Sequence, residues 1–199
     1  MIYSQLTEIN IILFNFINHN LQNSFFDFLM PLITNIGSGV FLISISILLL
    51  LYGIKIKNKR IAYLAIAGIL AIVFTSLTIG IIKVLINEPR PFITLDSVRL
   101  LVVENDPYSF PSGHTGNIFA YVIALGLCWK INIKNKSIKL VWLLVPLAFI
   151  IGFSRIYIGV HYPFDVIVGS IIGIIAGFSA IKITDYLNKH QKKLKNIEI

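Results

Sequence analysis

Three short clusters of polar residues in this 199-residue chain carry cationic and nucleophilic side chains. The first cluster consists of Lys83, six further residues, and Arg90-Pro91. Proline has no backbone donor and restricts the residue before it, so Pro89 and Pro91 should end the preceding apolar segment and present Arg90 on a stiff turn. Lys83 would extend its ammonium group toward the same surface. Two such cations can bind an anion, although they would equally well anchor a helix end at lipid headgroups.

The second cluster, Pro111-Ser112-Gly113-His114, directly precedes an apolar segment. Ser112 is a favourable helix N-cap, and Gly113 allows a ligand to approach the backbone closely. The free amides and the positive dipole end of a helix N-terminus form a phosphate site, which His114 would face from the first turn. An ordinary helix cap followed by an interfacial histidine is the alternative interpretation.

The third cluster is Ser154-Arg155, then five residues, His161, three residues and Asp165. A tight turn between two apolar segments would bring Arg155 and His161 to one place. Pro163 suits the first position of a helix, which puts Asp165 in the first turn, where the dipole favours a carboxylate. Asp165 would then accept the proton on one imidazole nitrogen of His161 and leave the other nitrogen free for attack. Taken alone, His161 would be an interfacial histidine.

Together, the three clusters match the needs of phosphoryl transfer. This reaction requires positive charge on the equatorial oxygens, an in-line nucleophile and an acid for the leaving group. Ionisable groups gathered near a bilayer are also functional by default. The sequence therefore predicts one phosphoryl-transfer site, formed by Lys83, Arg90, Ser112, Gly113, His114, Arg155, His161 and Asp165.

The composition predicts that a membrane surrounds the elements that position this site. Hydrophobic residues make up 56% of the chain and charged residues 13%, against roughly 45–50% and about 25% in soluble domains. The mean hydropathy is +0.84. A soluble protein of this length has too much surface to cover with so few charges, whereas lipid tolerates an apolar exterior.

Five apolar segments approach the ~20 residues that cross a ~30 Å hydrocarbon layer. Their approximate limits are 28–53, 61–87, 113–130, 140–158 and 163–186. They should be helices, because backbone polar groups inside a bilayer find no water. The first contains Pro31 and Gly37-Ser38-Gly39, which predict a bend. In the last, Gly169, Gly173 and Gly177 repeat every fourth residue and predict close helix packing, within the chain or in a dimer.

Residues 2–22 show apolar positions at helical spacing that are interrupted by Glu8, Asn10, Asn15 and Asn18. This pattern favours an amphipathic helix in the membrane interface over a further span. The predicted fold class is all-α: a polytopic membrane helix bundle of five transmembrane helices plus an N-terminal interfacial helix, with six spans as the alternative. We expect one domain over 1–199, comprising the interfacial helix (1–24), the catalytic helix bundle (25–187) and a basic cytoplasmic tail (188–199).

Most of the 17 Lys and Arg residues form three groups that a five-span arrangement places on one side of the membrane. Because such residues in short loops mark the cytoplasmic side, the 88–112 loop and the 159–162 turn should face outward. This predicts a plasma-membrane protein with an extracytoplasmic site and a cytoplasmic C-terminus. The net charge of +8 then reflects topology, and we expect no nucleic-acid partner. The groups are Lys55, Lys57, Lys59 and Arg60; Lys130, Lys134, Lys136 and Lys139; and Lys182, Lys189, Lys192, Lys193 and Lys195.

The motifs K-x6-R-P, P-S-G-H and S-R-x5-H-x3-D, in this order, resemble the signature motifs of the type 2 phosphatidic acid phosphatase superfamily. The resemblance covers roughly residues 83–165. It implies that His161 attacks phosphorus to form a phosphohistidine, that Asp165 orients His161, and that His114 protonates the leaving lipid oxygen. It further implies that the phosphate oxygens are held by Lys83, Arg90, Ser112, the Gly113 amide and Arg155.

The same resemblance implies a hydrolase without metal or cofactor that acts on a lipid phosphate among membrane lipids. Undecaprenyl diphosphate is the expected substrate, since small members of the superfamily often resemble undecaprenyl-diphosphate phosphatases. Phosphatidylglycerophosphate or phosphatidic acid is the alternative. Two other classes stay open: a vanadate-dependent haloperoxidase, which the five spans argue against, and a lipid-phosphate binding or transport protein, which would not need the two histidines and Asp165. The sequence leaves the oligomeric state undetermined.

Overall fold

The computed structural model describes residues 2–133 and 136–195, and helices form most of this part of the chain. Lys134 of the second basic group and residues 196–199 of the basic tail lie outside the described residues. The helices are α1 (Ile2–Asn15), which continues into a π-helical turn (Phe16–Asn20), α2 (Ser24–Thr34), a 3-10 turn (Asn35–Gly37), α3 (Gly39–Lys55), α4 (Lys59–Ile86), α5 (Pro91–Thr94), α6 (Gly113–Gly126), α7 (Val141–Tyr157) and α8 (Pro163–Lys195).

Two of the described helices, α4 and α8, are long and apolar enough to cross a membrane. Helices α2 and α3 pass the same test as a pair, but their axes are bent by 56° at the break between them. This confirms the bend that Gly37-Ser38-Gly39 predicts. Helix α7 is apolar but has only 17 residues, and α6 has 14. The structure thus supports a membrane helix bundle with two or three clear spans, while five or six spans remain a prediction.

Helix α6 is shorter than the predicted segment 113–130 because neighbouring helices enclose it. It packs against α4, α7 and α8, and nearly all of its residues are buried. At its end, a Cβ atom on Gly126 would lie 2.6 Å from Cα of Val141. A central helix that is covered by protein does not have to match the thickness of the lipid layer. Hydropathy alone therefore overestimates the length of such a helix.

The glycine row of α8 lies against α6, as the sequence predicts for packing within the chain. A Cβ atom on Gly173 would come 2.2 Å from the carbonyl oxygen of Gly116, and one on Gly169 would come 2.5 Å from that of Ser112. Backbones can approach this closely only where side chains are absent. The contact holds the N-terminus of α6 beside the first turns of α8, where two of the three predicted clusters lie.

The prediction of an all-α fold is wrong at one place, the second basic loop. Strands β1 (Lys130–Ile133) and β2 (Lys136–Lys139) pair antiparallel, with Ile131 opposite Ile138. The segment alternates apolar and polar residues, and this period of two suits a strand. The run is too short to stand out against the long helical segments on either side.

Two polar positions of the N-terminal segment face the protein, whereas Glu8 and Asn15 are exposed. Asn10 is buried, and its Oδ1 accepts a hydrogen bond from the backbone N of Phe164 at 3.0 Å. Asn18 in the following turn is fully buried and donates from Nδ2 to the carbonyl oxygen of Tyr157 at 2.8 Å. Ile9 and Ile12 are exposed instead. These asparagines therefore dock the segment onto α7 and α8; its depth in the membrane remains a prediction.

The basic loops meet at one end of the bundle, opposite the predicted site. Arg60 Nη2 donates to the carbonyl oxygen of Cys128 at 3.2 Å, which joins the α3–α4 connection to the segment before β1. Tyr63 Oη lies 2.8 Å from Asp185 Oδ1, which brings in the end of α8. At the other end lie the loop between α5 and α6 and the turn between α7 and α8, as a zigzag chain requires.

Candidate active site

A left-handed glycine shapes the turn that carries His161 between α7 and α8. Gly159 has a φ of +88°, and a Cβ atom there would lie 2.6 Å from the carbonyl oxygen of Arg99, so only glycine fits. The backbone N–H groups of Val160 and His161 both donate to the carbonyl oxygen of Arg155, at 3.2 and 3.3 Å. The chain thus folds back at once and places His161 beside the end of α7.

The two ring nitrogens of His161 face different partners. Nδ1 lies 3.2 Å from Asp165 Oδ2, and Nε2 lies 3.3 Å from Arg90 Nη1. A carboxylate accepts and a guanidinium donates, so the contacts fix a tautomer with the proton on Nδ1 and the lone pair on Nε2. Burial, together with the charges of Arg155, Arg90, Lys83 and His114, lowers the pKa of His161 well below its ordinary value. This shift favours the neutral imidazole, whose Nε2 lone pair then lies on the side of Arg90.

Asp165 is held by more than His161. Its Oδ2 also accepts from the hydroxyl of Ser109 and from the backbone N of Tyr162, the latter at 2.8 Å. Its backbone carbonyl accepts from the N–H of Ser112 at 3.0 Å. The other carboxylate oxygen, Oδ1, is buried and accepts no hydrogen bond from the part of the chain that the structure describes. Asp165 is fully buried, so its orientation is fixed by packing and by these donors.

Lys83, Arg90 and Arg155 form the cationic group of the site. Arg90 lies at its centre and is 2% exposed. It precedes α5, whose first residue is Pro91. Its Nη1 donates to the carbonyl oxygen of Val160 at 2.9 Å, and its Nε donates to the carbonyl oxygen of Asp106. These bonds orient the guanidinium so that one edge faces His161.

Lys83 and Arg155 reach the same place from the last turns of α4 and α7. Lys83 Nζ donates to Asp106 Oδ2 at 2.8 Å and to the carbonyl oxygen of Tyr108. Arg155 Nη2 donates to Glu104 Oε2 at 2.8 Å, and its Nη1 donates to Thr34 Oγ1 at 3.0 Å. Arg155 Nε is buried and has no hydrogen-bond partner within residues 2–133 and 136–195.

The second cluster begins α6 as predicted, with Ser112 at the N-cap position. The Ser112 hydroxyl lies 2.9 Å from Thr115 Oγ1 and is buried. Nothing lies within 4 Å of a Cβ atom built on Gly113, so the space beside its backbone is open. His114 is half-buried and makes no hydrogen bond to any residue that the structure describes. An open amide beside an unpaired imidazole leaves room for a ligand at this helix N-terminus.

The structure thus brings the eight predicted residues to one end of the bundle. The side chains of Arg90, His161 and Asp165 contact one another in series there. The sequence did not indicate Ser109 as a site residue. It placed Glu104 and Asp106 in a loop expected to shape headgroup choice, without any contact to the cations. All three belong to the irregular 95–112 segment, where no periodicity assigns a direction to a side chain. The adjacency of Ser109 to the Pro111-Ser112-Gly113-His114 motif was the one available signal.

The donor set of the site suits an anion. No group of three or more His, Cys, Asp or Glu side chains in residues 2–133 and 136–195 is arranged to hold a metal ion. The expectation that the reaction needs no metal or cofactor stays a prediction.

Known proteins are similar to this chain in sequence and in the arrangement of their helices. The sequence profile of the PAP2 superfamily matches residues 61–189. Undecaprenyl-diphosphatase BcrC of Bacillus subtilis is 33% identical over 166 residues, which cover 83% of this chain and 79% of that protein. An undecaprenyl-diphosphatase of Sulfolobus acidocaldarius is 31% identical over 189 residues, covering 94% and 84%. The crystal structure of a transmembrane PAP2-type phosphatidylglycerolphosphate phosphatase from Bacillus subtilis superposes with a TM-score of 0.72 over 92% of this chain and 87% of that one, at 19% identity.

Proposed function

Since the chain belongs to the PAP2 superfamily and is a membrane lipid phosphatase, we propose that it hydrolyses a polyprenyl diphosphate, undecaprenyl diphosphate above all, through a phosphohistidine. One observation carries the mechanism. His161 Nδ1 faces Asp165, while Nε2 faces Arg90 in the cationic group. A neutral, oriented imidazole directed at a cluster of phosphate-binding donors is a nucleophile poised for phosphorus.

In the first step, His161 Nε2 attacks the terminal phosphorus as the bond from phosphorus to the bridging oxygen breaks. The electron pair leaves with the lipid monophosphate, and His114 donates a proton to that oxygen. Asp165 stabilises the positive charge that develops on the imidazole, as a carboxylate behind a histidine does. Lys83, Arg90, Arg155, Ser112 and the Gly113 amide bind the equatorial oxygens, where the transition state concentrates charge.

In the second step, water attacks the phosphohistidine opposite the nitrogen, and the bond between phosphorus and Nε2 breaks. His114 is now unprotonated and accepts the proton of that water, which releases inorganic phosphate and restores the neutral His161. His114 thus gives one proton to the leaving group and regains one from the attacking water, so water is the only co-substrate.

Two relatives support the choice of a polyprenyl diphosphate, because both are undecaprenyl-diphosphatases and match most of this chain. Phosphatidylglycerophosphate and phosphatidic acid are the alternative substrates, since the residues of the site would contact the phosphate group and not the lipid tail. For the location, we propose the plasma membrane with the site on the extracytoplasmic face. Support comes from the basic loops, which gather at the opposite end, where Lys and Arg favour the cytoplasm.

A substrate panel on the purified protein tests this function. Undecaprenyl diphosphate should give a higher kcat/KM than phosphatidylglycerophosphate, phosphatidic acid or a water-soluble phosphomonoester. A higher kcat/KM for one of the other compounds would contradict the assignment of undecaprenyl diphosphate as the substrate. His161→Ala should abolish release of phosphate, with a loss of at least about 10³-fold, as for other covalent nucleophiles.

The chemical class needs a separate measurement. Rapid acid-free quenching during turnover should trap a labelled phosphohistidine in the wild type and none in His161→Ala. A lipid-phosphate binding or transport protein would form no such adduct. A haloperoxidase would oxidise halide when vanadate is added, whereas in a phosphatase vanadate should only inhibit phosphate release.

A further inference from the structure

Two carboxylates from the loop between α5 and α6 cover the cationic group. Asp106 Oδ2 contacts Lys83 at 2.8 Å and Arg90 Nη2 at 3.3 Å. Glu104 Oε2 contacts Arg155 Nη2 at 2.8 Å and lies 3.7 Å from Arg90 Nη2. The side chain of Asp106 is 42% exposed and that of Glu104 is 21% exposed, against 2% and 3% for the two arginines. The carboxylates are therefore the outer layer, the cations the next, and His161 lies beneath them at 1% exposure.

Electrostatics explains why the three cations hold these two carboxylates. Three cations that share a nearly buried place repel each other and lose hydration, and both costs fall when carboxylates pair with them. Burial lowers the pKa of Arg90, and the charges of Glu104 and Asp106 offset part of that shift. Two carboxylates against three cations leave a net charge of about +1 in this group.

A substrate phosphate needs the same guanidinium and ammonium donors, so it competes with the loop carboxylates. Among the described residues, none accepts a hydrogen bond from Arg155 Nε, although this atom is buried. The Arg155 side of the site therefore has a donor left over for a ligand. Asp106 is also fixed locally, because its Oδ1 accepts from the backbone N of Tyr108 at 3.0 Å. The contacts of the Glu104 carboxylate that the structure describes are to Arg155 and Arg90. Glu104 is thus the carboxylate that an entering phosphate can displace.

We propose that Glu104 is a tethered counter-anion that the substrate phosphate displaces from Arg155, and that it reserves the site for terminal phosphates over the phosphodiester headgroups of bulk lipids. The proposal rests on the proposed phosphatase function and concerns what that site admits. A phosphodiester carries one negative charge, the same as Glu104. Replacing Glu104 with a phosphodiester therefore adds no electrostatic attraction to the arginines. A terminal phosphate carries about two charges at neutral pH, so its stronger attraction to the arginines offsets the loss of Glu104.

Binding of inorganic phosphate, measured by isothermal titration calorimetry on the purified protein, tests the displacement without turnover. Glu104→Gln keeps the shape of the side chain and removes its charge. We expect this variant to bind phosphate about tenfold more tightly than the wild type, within the usual range of coupling between competing groups. Asp96→Asn removes the same charge from an exposed position of the same loop and should leave the dissociation constant unchanged.

A second measurement tests selectivity. Phosphatidylglycerol, a phosphodiester lipid, is added to mixed micelles during hydrolysis of a polyprenyl diphosphate. It should inhibit Glu104→Gln at about tenfold lower surface concentration than the wild type or Asp96→Asn. Equal inhibition in all three proteins would overturn the selectivity role. Unchanged or weaker phosphate binding by Glu104→Gln would overturn the displacement, since Glu104 would then only position Arg155.

The two proposals fail in different ways. If the wild type hydrolyses none of the lipid phosphates, the proposed function is wrong, although the calorimetric comparison still reports on Glu104. If the wild type is active and Glu104→Gln binds phosphate no better, the counter-anion role alone is wrong.

Discussion

At the residue scale, the predicted site residues are held by contacts that the sequence did not indicate. Asp165 is oriented by Ser109 as well as by the backbone of Tyr162, and Lys83 is held by Asp106. In the proposed mechanism the motif residues carry the chemistry, whereas residues of the irregular loop set their geometry. Ser109, whose hydroxyl also lies 3.4 Å from His161 Nδ1, is therefore a positioning residue that acts through Asp165 and His161.

Ser109→Ala should lower kcat by about 10- to 100-fold, because a hydrogen bond to a charged group contributes about 1.5–3 kcal/mol. KM should change little, since Ser109 contacts Asp165 and not the phosphate donors. Steady-state kinetics on the lipid substrate separates the two constants. Ser109→Thr retains the hydroxyl and should recover most of the rate. Ser97→Ala, at an exposed position of the same loop, is the control; an equal loss in both alanine variants would argue against positioning.

At the element scale, the site depends on how closely α6 approaches α8. The N-terminus of α6 supplies Ser112, Gly113 and His114, and the first turn of α8 supplies Asp165. The glycine row of α8 permits this approach, and the N–H of Ser112 bonds directly to the carbonyl of Asp165 at 3.0 Å. Packing in the middle of the bundle thus sets the alignment of catalytic groups at its end.

Gly173→Ala should lower both thermal stability and activity, because the new methyl group would meet the Gly116 carbonyl at 2.2 Å and push α6 away. Overpacking of this kind costs typically about 1–3 kcal/mol. Thermal unfolding in detergent and phosphate release measure the two effects. Gly80→Ala is the matched control, since nothing lies within 4 Å of the added atom. A Gly173→Ala protein as stable and active as Gly80→Ala would show that α6 and α8 need not touch here.

At the scale of the whole molecule, charge and chemistry are separated to opposite ends. The described members of the three basic groups lie at the end with the hairpin and the last turns of α8, whereas the site lies under the loop between α5 and α6. Exposed apolar side chains such as Val40, Leu85 and Phe149 cover the surface between these ends. This division suits a protein whose substrate enters from lipid at one membrane face.

Labelling with a membrane-impermeant maleimide tests the orientation. In a Cys128→Ala background, Ser97→Cys lies at the site end and Lys59→Cys at the basic end. In intact cells we expect Ser97→Cys to be labelled and Lys59→Cys to be labelled only after permeabilisation, because Lys and Arg keep their loops in the cytoplasm. The reverse pattern would place the active site on the cytoplasmic face.

The sequence by itself determined the membrane class, the bend between α2 and α3, and which residues gather at one end. Composition, helical periodicity and motif spacing are local properties, and in a bilayer they leave few alternatives. Only the tertiary structure decided that α6 is short and enclosed, that Asn10 and Asn18 face the protein, and that Ser109, Glu104 and Asp106 reach the site. These features depend on contacts between residues far apart in the chain and on an irregular loop. In such a loop no helical or strand periodicity predicts the direction of a side chain.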